Sequence, residues 1–290
     1  MSEKPDTQEI LSAVMASGYL MEQEVATLLE TEGFVVTTNR AYTDADESKS
    51  REIDVLAMQR AYRNNDGSLE IIVELICECK NNQQPFVFIS RRKNQFDKRR
   101  IPEEYVFPVQ SYVTPSPDIP NAVRLIPAFF HLGLDQWHYE FLDDMKVVQF
   151  CRILRKGKEW EASHDDSYIS IFYPIVKALK ARQDETKPSN VVDVSNPPKR
   201  VRLFFPTVVL NSEIYLIDSS SAKPEPRLVD HVTFVREIRS PQITGKYTVE
   251  FVTRSGLLSL TRTKIRKFTD RLVKLAETDP AILLNKDATL

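Results

Sequence analysis

Glycine is scarce, with 7 in 290 residues. Cradles that hold phosphates on backbone N–H groups need glycine for close approach. Neither GxxxxGK[ST] nor GxGxxG occurs, which disfavours an NTPase or a dinucleotide enzyme. A GxSxG nucleophile elbow is also missing. Four scattered histidines and three cysteines do not assemble a zinc pattern. The odd cysteine count, with Cys77 and Cys79 in one apolar run, predicts buried, reduced thiols and a cytoplasmic protein. No apolar stretch approaches the roughly 20 residues that span a bilayer. The N-terminus is polar and acidic without a signal-peptide pattern, so no membrane partner is expected. Net charge is −2, so any nucleic-acid surface must be local rather than global.

Apolar content of 42% against 28% charged residues is that of a globular chain long enough for one large domain or two small ones. Residues 7–32 read as helix, broken near Gly18 and stopped by Gly33, with Met21, Val25, Leu28 and Leu29 in one stripe. Phe34-Val35-Val36 begins a strand, and Thr43 to Ser50 reads as a polar loop. Residues 51–62 and 69–80 read as a β-hairpin around Asn65-Asp66-Gly67, and Pro85 to Ile89 as a further strand. Five prolines in 101–121 predict an irregular excursion. Residues 167–183 read as helix and 184–200 as a loop. Val201–Leu210 and Ile214–Ile217 read as strands joined at Asn211-Ser212-Glu213. Strands over Val232–Ile238 and Tyr247–Thr253 and a helix over 261–276 complete the chain.

The hairpin concentrates the chemistry. Arg51-Glu52-Ile53-Asp54-Val55-Leu56 and Glu78-Cys79-Lys80 bring two carboxylates and a lysine to the ends of adjacent strands. A two-residue loop would set Asp54 opposite Cys79 and turn Glu78 away. A three-residue loop, with Gly67 in the left-handed position, pairs Asn64 with Ser68 and sets Asp54 across from Glu78, with Lys80 on the same face. Carboxylates about 5 Å apart repel, and burial raises one pKa unless a cation lies between them. The alternative is an exposed hairpin with solvated charges, but Ile53, Val55, Leu75, Ile76 and Cys77 argue for burial.

With these residues the chain resembles the PD-(D/E)xK nuclease superfamily, the restriction-endonuclease-like fold. The resemblance rests on Glu22 in the first helical region, Ile53-Asp54 on one strand and Glu78-Cys79-Lys80 on the next. The Pro85-Phe86-Val87-Phe88 strand and the run Phe205-Pro206-Thr207-Val208-Val209-Leu210 also fit. Ile53 stands where the family pattern has proline. The resemblance implies an α/β fold: a mixed β-sheet core flanked by helices, in the order α-β-β-β-α-β. That core maps onto 7–89 and 166–218 of a single domain, with a large insertion at 90–165 and a C-terminal sheet and helix extension at 219–290.

It further implies a metal-dependent endonuclease hydrolysing phosphodiester bonds in DNA. Asp54, Glu78 and the Cys79 backbone carbonyl would hold Mg²⁺ or Mn²⁺, which favour hard oxygen donors. Lys80 would position water or stabilise developing charge, unless it only ion-pairs with Glu78. Glu22 resembles the family's helix-borne glutamate, although periodicity alone does not choose between it and Glu24. The basic run Arg91, Arg92, Lys93, Lys98, Arg99 and Arg100 reads either as a grip on phosphates or as a solvated face. The last helix carries further cations, read chiefly as solvated. Trp137, Tyr139 and Phe141 alternate and read as core, with base stacking the other reading. RNA as substrate, a homodimer, and an inactive binding module of the same fold stay open.

Overall fold

A computed structural model describes residues 4–44, 46–163, 168–187 and 197–285. The chain opens with helices α1 (Thr7–Ser17) and α2 (Tyr19–Thr31), followed by strands β1 (Val35–Asp44), β2 (Lys49–Arg63), β3 (Leu69–Lys80) and β4 (Phe86–Arg92). Short elements follow: β5 (Tyr105–Val106), β6 (Ser111–Pro115), β7 (Val123–Pro127), α3 (Ala128–His131) and α4 (Tyr139–Leu142). Then come β8 (Met145–Lys156), β9 (Glu159–Ser163), α5 (Tyr173–Glu185), β10 (Lys199–Leu210) and β11 (Ile214–Asp218). The last elements are β12 (Pro226–Val229), β13 (His231–Arg239), β14 (Thr244–Thr253), α6 (Leu257–Leu260), α7 (Arg266–Thr278) and α8 (Ala281–Leu284). The loop expected over 184–200 lies largely outside the described residues. No helix among the described residues is long and apolar enough to cross a membrane.

Local chemistry sets the helix ends. Asp6 and Glu9 form a reciprocal capping box at the start of α1. Gly18 ends that helix at φ +90°, a left-handed conformation that glycine adopts without Cβ strain. Helix α2 buries Met21, Val25, Ala26 and Leu29.

The fold is mixed α/β. One large sheet runs β1-β2-β3-β10-β14-β13-β8-β4-β11-β12, with β5 added to β10 and β9 to β8. β10 lies parallel to both β3 and β14, whereas β2 runs antiparallel to β1 and β3. Residues Leu69 to Cys77 are all buried, as a strand covered on both faces requires. On one face α2, α7 and the 105–141 region pack against Val55, Leu75, Phe205 and Val252. On the other, α5 packs against Ile53, Ile76, Phe204 and Phe251.

The strands β10 and β11, read from sequence as joined at Asn211-Ser212-Glu213, do not pair with each other. Strand β11 pairs in parallel with β4, and four strands separate it from β10 in the hydrogen-bonded order. Yet only Asn211-Ser212-Glu213 join the two. Four Cα steps reach at most about 14 Å, whereas five flat strand spacings need about 24 Å. The sheet must therefore curl, and phenylalanines line the concave side. Phe251 lies 5.0 Å from Phe88, 5.2 Å from Phe150 and 6.2 Å from Phe234, centroid to centroid.

Helix α5 is fixed to the sheet by charge as well as packing. Arg182 Nε and Arg202 donate to the fully buried Glu74 carboxylate at 2.6 and 2.5 Å. Lys177 donates to buried Asp44 at 2.8 Å, which also accepts from Arg51 at 2.6 Å. Asp44 was expected in a polar loop; instead β1 and β2 extend to pair Asp44 with Lys49. The aromatic trio read as core is divided, with Phe141 buried in the core. Tyr139 and Phe141 lie on α4, and Trp137 is half-exposed with the Arg271 guanidinium 4.7 Å from its ring.

Phe251→Ala should lower unfolding free energy by about 3–5 kcal/mol, read by equilibrium urea denaturation. A loss near zero would mean that the curled face is not close-packed.

Candidate active site

The β2–β3 register arises from two deviations that cancel. The turn is one residue longer than expected: the Asn64 N–H donates to the Leu69 carbonyl at 3.1 Å, enclosing residues 65–68. The Gly67 N–H returns to the Asn64 carbonyl at 3.1 Å, and Gly67 has φ +73°. A β-bulge at Ala61 then takes up the extra residue, because Arg60 faces Ile72 while Tyr62 faces Ile71. Past the bulge Val55 stands opposite Cys77, the register that carries Asp54 toward Glu78.

At Asp54 the strand changes faces. Val55 and Ala57 belong to one apolar cluster and Ile53 to the other, although strict alternation would keep Ile53 with Val55. The partner strand changes with it: Val36 packs on the first cluster and Tyr42 on the second. Between them Asn39 takes φ +52°, a left-handed conformation that asparagine tolerates better than most side chains. The regular β2–β3 ladder stops at Val55, and the Asp54 Oδ2 takes the Cys79 N–H at 2.7 Å. N–H and C=O of one strand residue point the same way, so the Cys79 carbonyl also faces the β2 side.

Four candidate residues share this region. Lys80 Nζ donates to Glu78 Oε1 at 2.7 Å, with both side chains mostly buried. Glu22 is half-buried on α2, and its carboxyl accepts a hydrogen bond from Asn39. Glu24 instead faces solvent and pairs with Arg254. Burial pushes the Asp54 carboxyl up to about 7, with the Glu78 and Glu22 charges adding to it and the Cys79 N–H and Lys80 opposing it. Glu22 is raised for the same leading reason, burial. The Tyr42 phenol is pushed up to about 12, mainly by burial, with the Glu78 and Asp54 charges contributing. Asn39 and Tyr42 were not singled out from sequence. Their signal was faint: one polar residue in a strand, and one aromatic near an acidic loop.

The donor set fits a hard divalent cation. It comprises the Asp54 and Glu78 carboxylates and a carbonyl on the same side, and such ions bind through one or two carboxylates plus waters. Among the described residues, no hydrogen bond engages Asp54 Oδ1 or Glu78 Oε2. No group of three or more His, Cys, Asp or Glu side chains among the described residues has metal-binding spacing, so the side-chain set here is two carboxylates.

The basic run is divided in its roles. Arg91, Arg92, Lys98 and Arg99 are exposed, with Lys98 3.0 Å from Asp144. Arg100 is buried against Glu140 at 2.6 Å and Glu104 at 3.5 Å. Lys93 turns inward to the carbonyls of Glu140 and Asp143. The cations Arg262 and Arg266, read as solvated, reach Glu32 at 2.5 and 3.3 Å.

The strand end is braced from outside. Asn81 Nδ2 donates to the Met15 carbonyl at 2.7 Å, and the Asn211 N–H donates to the Lys80 carbonyl at 3.1 Å. No protein-family model, curated protein or solved structure matches this chain.

The raised Asp54 carboxyl fixes a pH dependence. Below about pH 7 the folded chain keeps a proton that the unfolded chain, titrating near the ordinary ~3.9, has already lost. Stability therefore falls as pH rises from about 4 to 7 and levels off above. Asp54→Asn removes this slope, so urea unfolding should show the variant gaining on the parent across that window. Parallel curves would mean that Asp54 is ionised throughout.

Proposed function

We propose that this protein is a metal-dependent endonuclease that hydrolyses phosphodiester bonds in DNA, with a restriction-endonuclease-like core formed by α2, β1, β2, β3, α5 and β10. The observation that carries the reading is the Asp54 carboxyl, raised to about 7 beside Glu78 and Glu22 with Lys80 at the same strand end. Burying acids together is costly unless a cation offsets them. The order α-β-β-β-α-β and the neighbouring positions of β1, β2, β3 and β10 also support it.

Asp54, Glu78 and the Cys79 carbonyl would hold Mg²⁺ or Mn²⁺. The bound ion supplies Lewis-acid charge at the scissile phosphate and makes a nearby water a better nucleophile. Lys80 can leave Glu78 to donate to a phosphate oxygen as negative charge builds there. Glu22, held by Asn39 and raised by burial, can orient the attacking water and accept its proton. The exposed Arg91, Arg92 and Arg99 are cations available to a backbone of phosphates, and Lys98 joins them if it leaves Asp144.

The contact of Lys80 with Glu78 favours a second reading, an inactive module of the same fold that binds nucleic acid or a protein partner. Cleavage of supercoiled plasmid separates the two. Nicking with Mg²⁺ or Mn²⁺, abolished by EDTA and reduced about 100-fold or more by Asp54→Ala or Lys80→Ala, is the expected result. A folded protein that does not cleave, and whose divalent-ion binding is unchanged by Asp54→Ala, would establish the binding module.

A further inference from the structure

A cavity of mixed polarity shares no lining residue with the Asp54 region. It measures about 470 Å³ and is walled by β13, β8 and the segments carrying Lys93, Tyr139 and Lys264. Seven cations line it, of which Arg227 and Lys246 are exposed to solvent and two are ion-paired. Arg100 meets Glu140 and Glu104, and Lys146 meets Asp97 at 2.7 Å.

Two ammonium groups are partly buried and differ from the rest. Lys93 donates to the backbone carbonyls of Glu140 and Asp143. Lys264 Nζ lies 2.8 Å from His231 Nδ1 and 5.3 Å from the centre of the Tyr139 ring. Among the described residues, neither has a carboxylate within ion-pair distance. Both are partly buried, and burial lowers the pKa of each, opposed by more distant carboxylates that include Asp143 for both.

A relay of hydrogen bonds holds Lys264 in place. When Nδ1 accepts a hydrogen bond from the ammonium, the ring N–H of His231 sits on Nε2 and donates to the buried Glu250. Glu250 also accepts from the Tyr139 hydroxyl at 2.7 Å and the Thr233 hydroxyl at 2.9 Å. Burial acts to raise the Glu250 carboxyl, but His231, Tyr139 and Lys264 outweigh it and keep the group ionised. An ammonium has three N–H donors. The contacts above leave two on Lys264 and one on Lys93 for a ligand.

We propose that this cavity is a binding site for a small phosphate monoester of mononucleotide size, its phosphate received by Lys264 and Lys93. Two ammonium groups without carboxylate partners match a dianion, and three free donors suit its terminal oxygens. Phe96 lines the same cavity and is 67% exposed; the Arg99 guanidinium lies 5.9 Å from its ring centre, which leaves the other aromatic face for a base.

Titration calorimetry of the full chain with deoxyadenosine 5′-monophosphate, in EDTA, tests the site. One equivalent should bind, and deoxyadenosine and acetate should bind at least about tenfold more weakly. Lys264→Met should weaken binding about tenfold or more, whereas Asp54→Ala should leave it unchanged. If circular dichroism shows Lys264→Met to be unfolded, Lys93→Met decides with the same expected loss. Absence of binding would overturn the assignment, as would equal binding of the nucleoside or acetate. Binding that survives a folded lysine variant, or that is lost in Asp54→Ala, would overturn it too. Plasmid nicking is not the readout, so failure of the nuclease reading leaves this result interpretable.

Discussion

The reversal of faces at Asn39 and Asp54 is the constraint on which the first half of the molecule depends. A strand that alternates strictly offers each helix layer one set of side chains. By changing faces midway, β1 and β2 give Val36, Val55 and Ala57 to the α2 side and Tyr42 and Ile53 to the α5 side. One pair of strands thus anchors a helix layer on each face. The reversal also interrupts the regular ladder, so a side-chain carboxylate comes to occupy the Cys79 N–H. Asn39, where β1 reverses, lies between the residues that pair with Val55 and Ile53 and so faces Asp54.

Charge is buried in two different ways. Glu74 and Asp44 are fully buried, but each receives two cationic partners. Such pairs fix α5 against the sheet, since removing one partner leaves an unpaired buried charge. Around Asp54 the balance runs the other way, with Glu22, Asp54 and Glu78 set against Lys80. A scaffold that compensates its structural acids and leaves this group short of positive charge has its excess negative potential concentrated in one place.

The apolar periodicities made much of the fold legible. The α2 stripe, the largely apolar β3 and the strands β13 and β14 follow from residue pattern. The register that sets Val55 opposite Cys77 agrees with the sequence reading, but through compensating causes: neither the longer turn nor the Ala61 bulge has a sequence signature here. The pairing of β11 with β4 was not legible, because a three-residue link normally signals a hairpin. Only tertiary curling explains it. Within the candidate site, the choice of Glu22 over Glu24 required the position of Arg254, distant in sequence. The inward turn of Lys93 and Arg100 depended on Glu140, Asp143 and Glu104, which no local pattern connects to a basic run.

The parallel pairing of β3 with β10 sets a condition on how the chain is made. The Glu70–Arg200 contact along this pair spans 130 residues. During synthesis from the N-terminus, the β2–β3 hairpin can close soon after Lys80 is made, whereas its second neighbour arrives much later. In that interval β3 presents an open edge of Val, Ile and Leu, the composition that promotes pairing with a foreign strand. Glu70 and Glu74 interrupt that edge, and Arg200 and Arg202 of β10 neutralise them on arrival. The same carboxylates that become buried ion pairs in the finished protein are therefore, in the growing chain, repulsive charges that discourage two nascent copies from joining edge to edge.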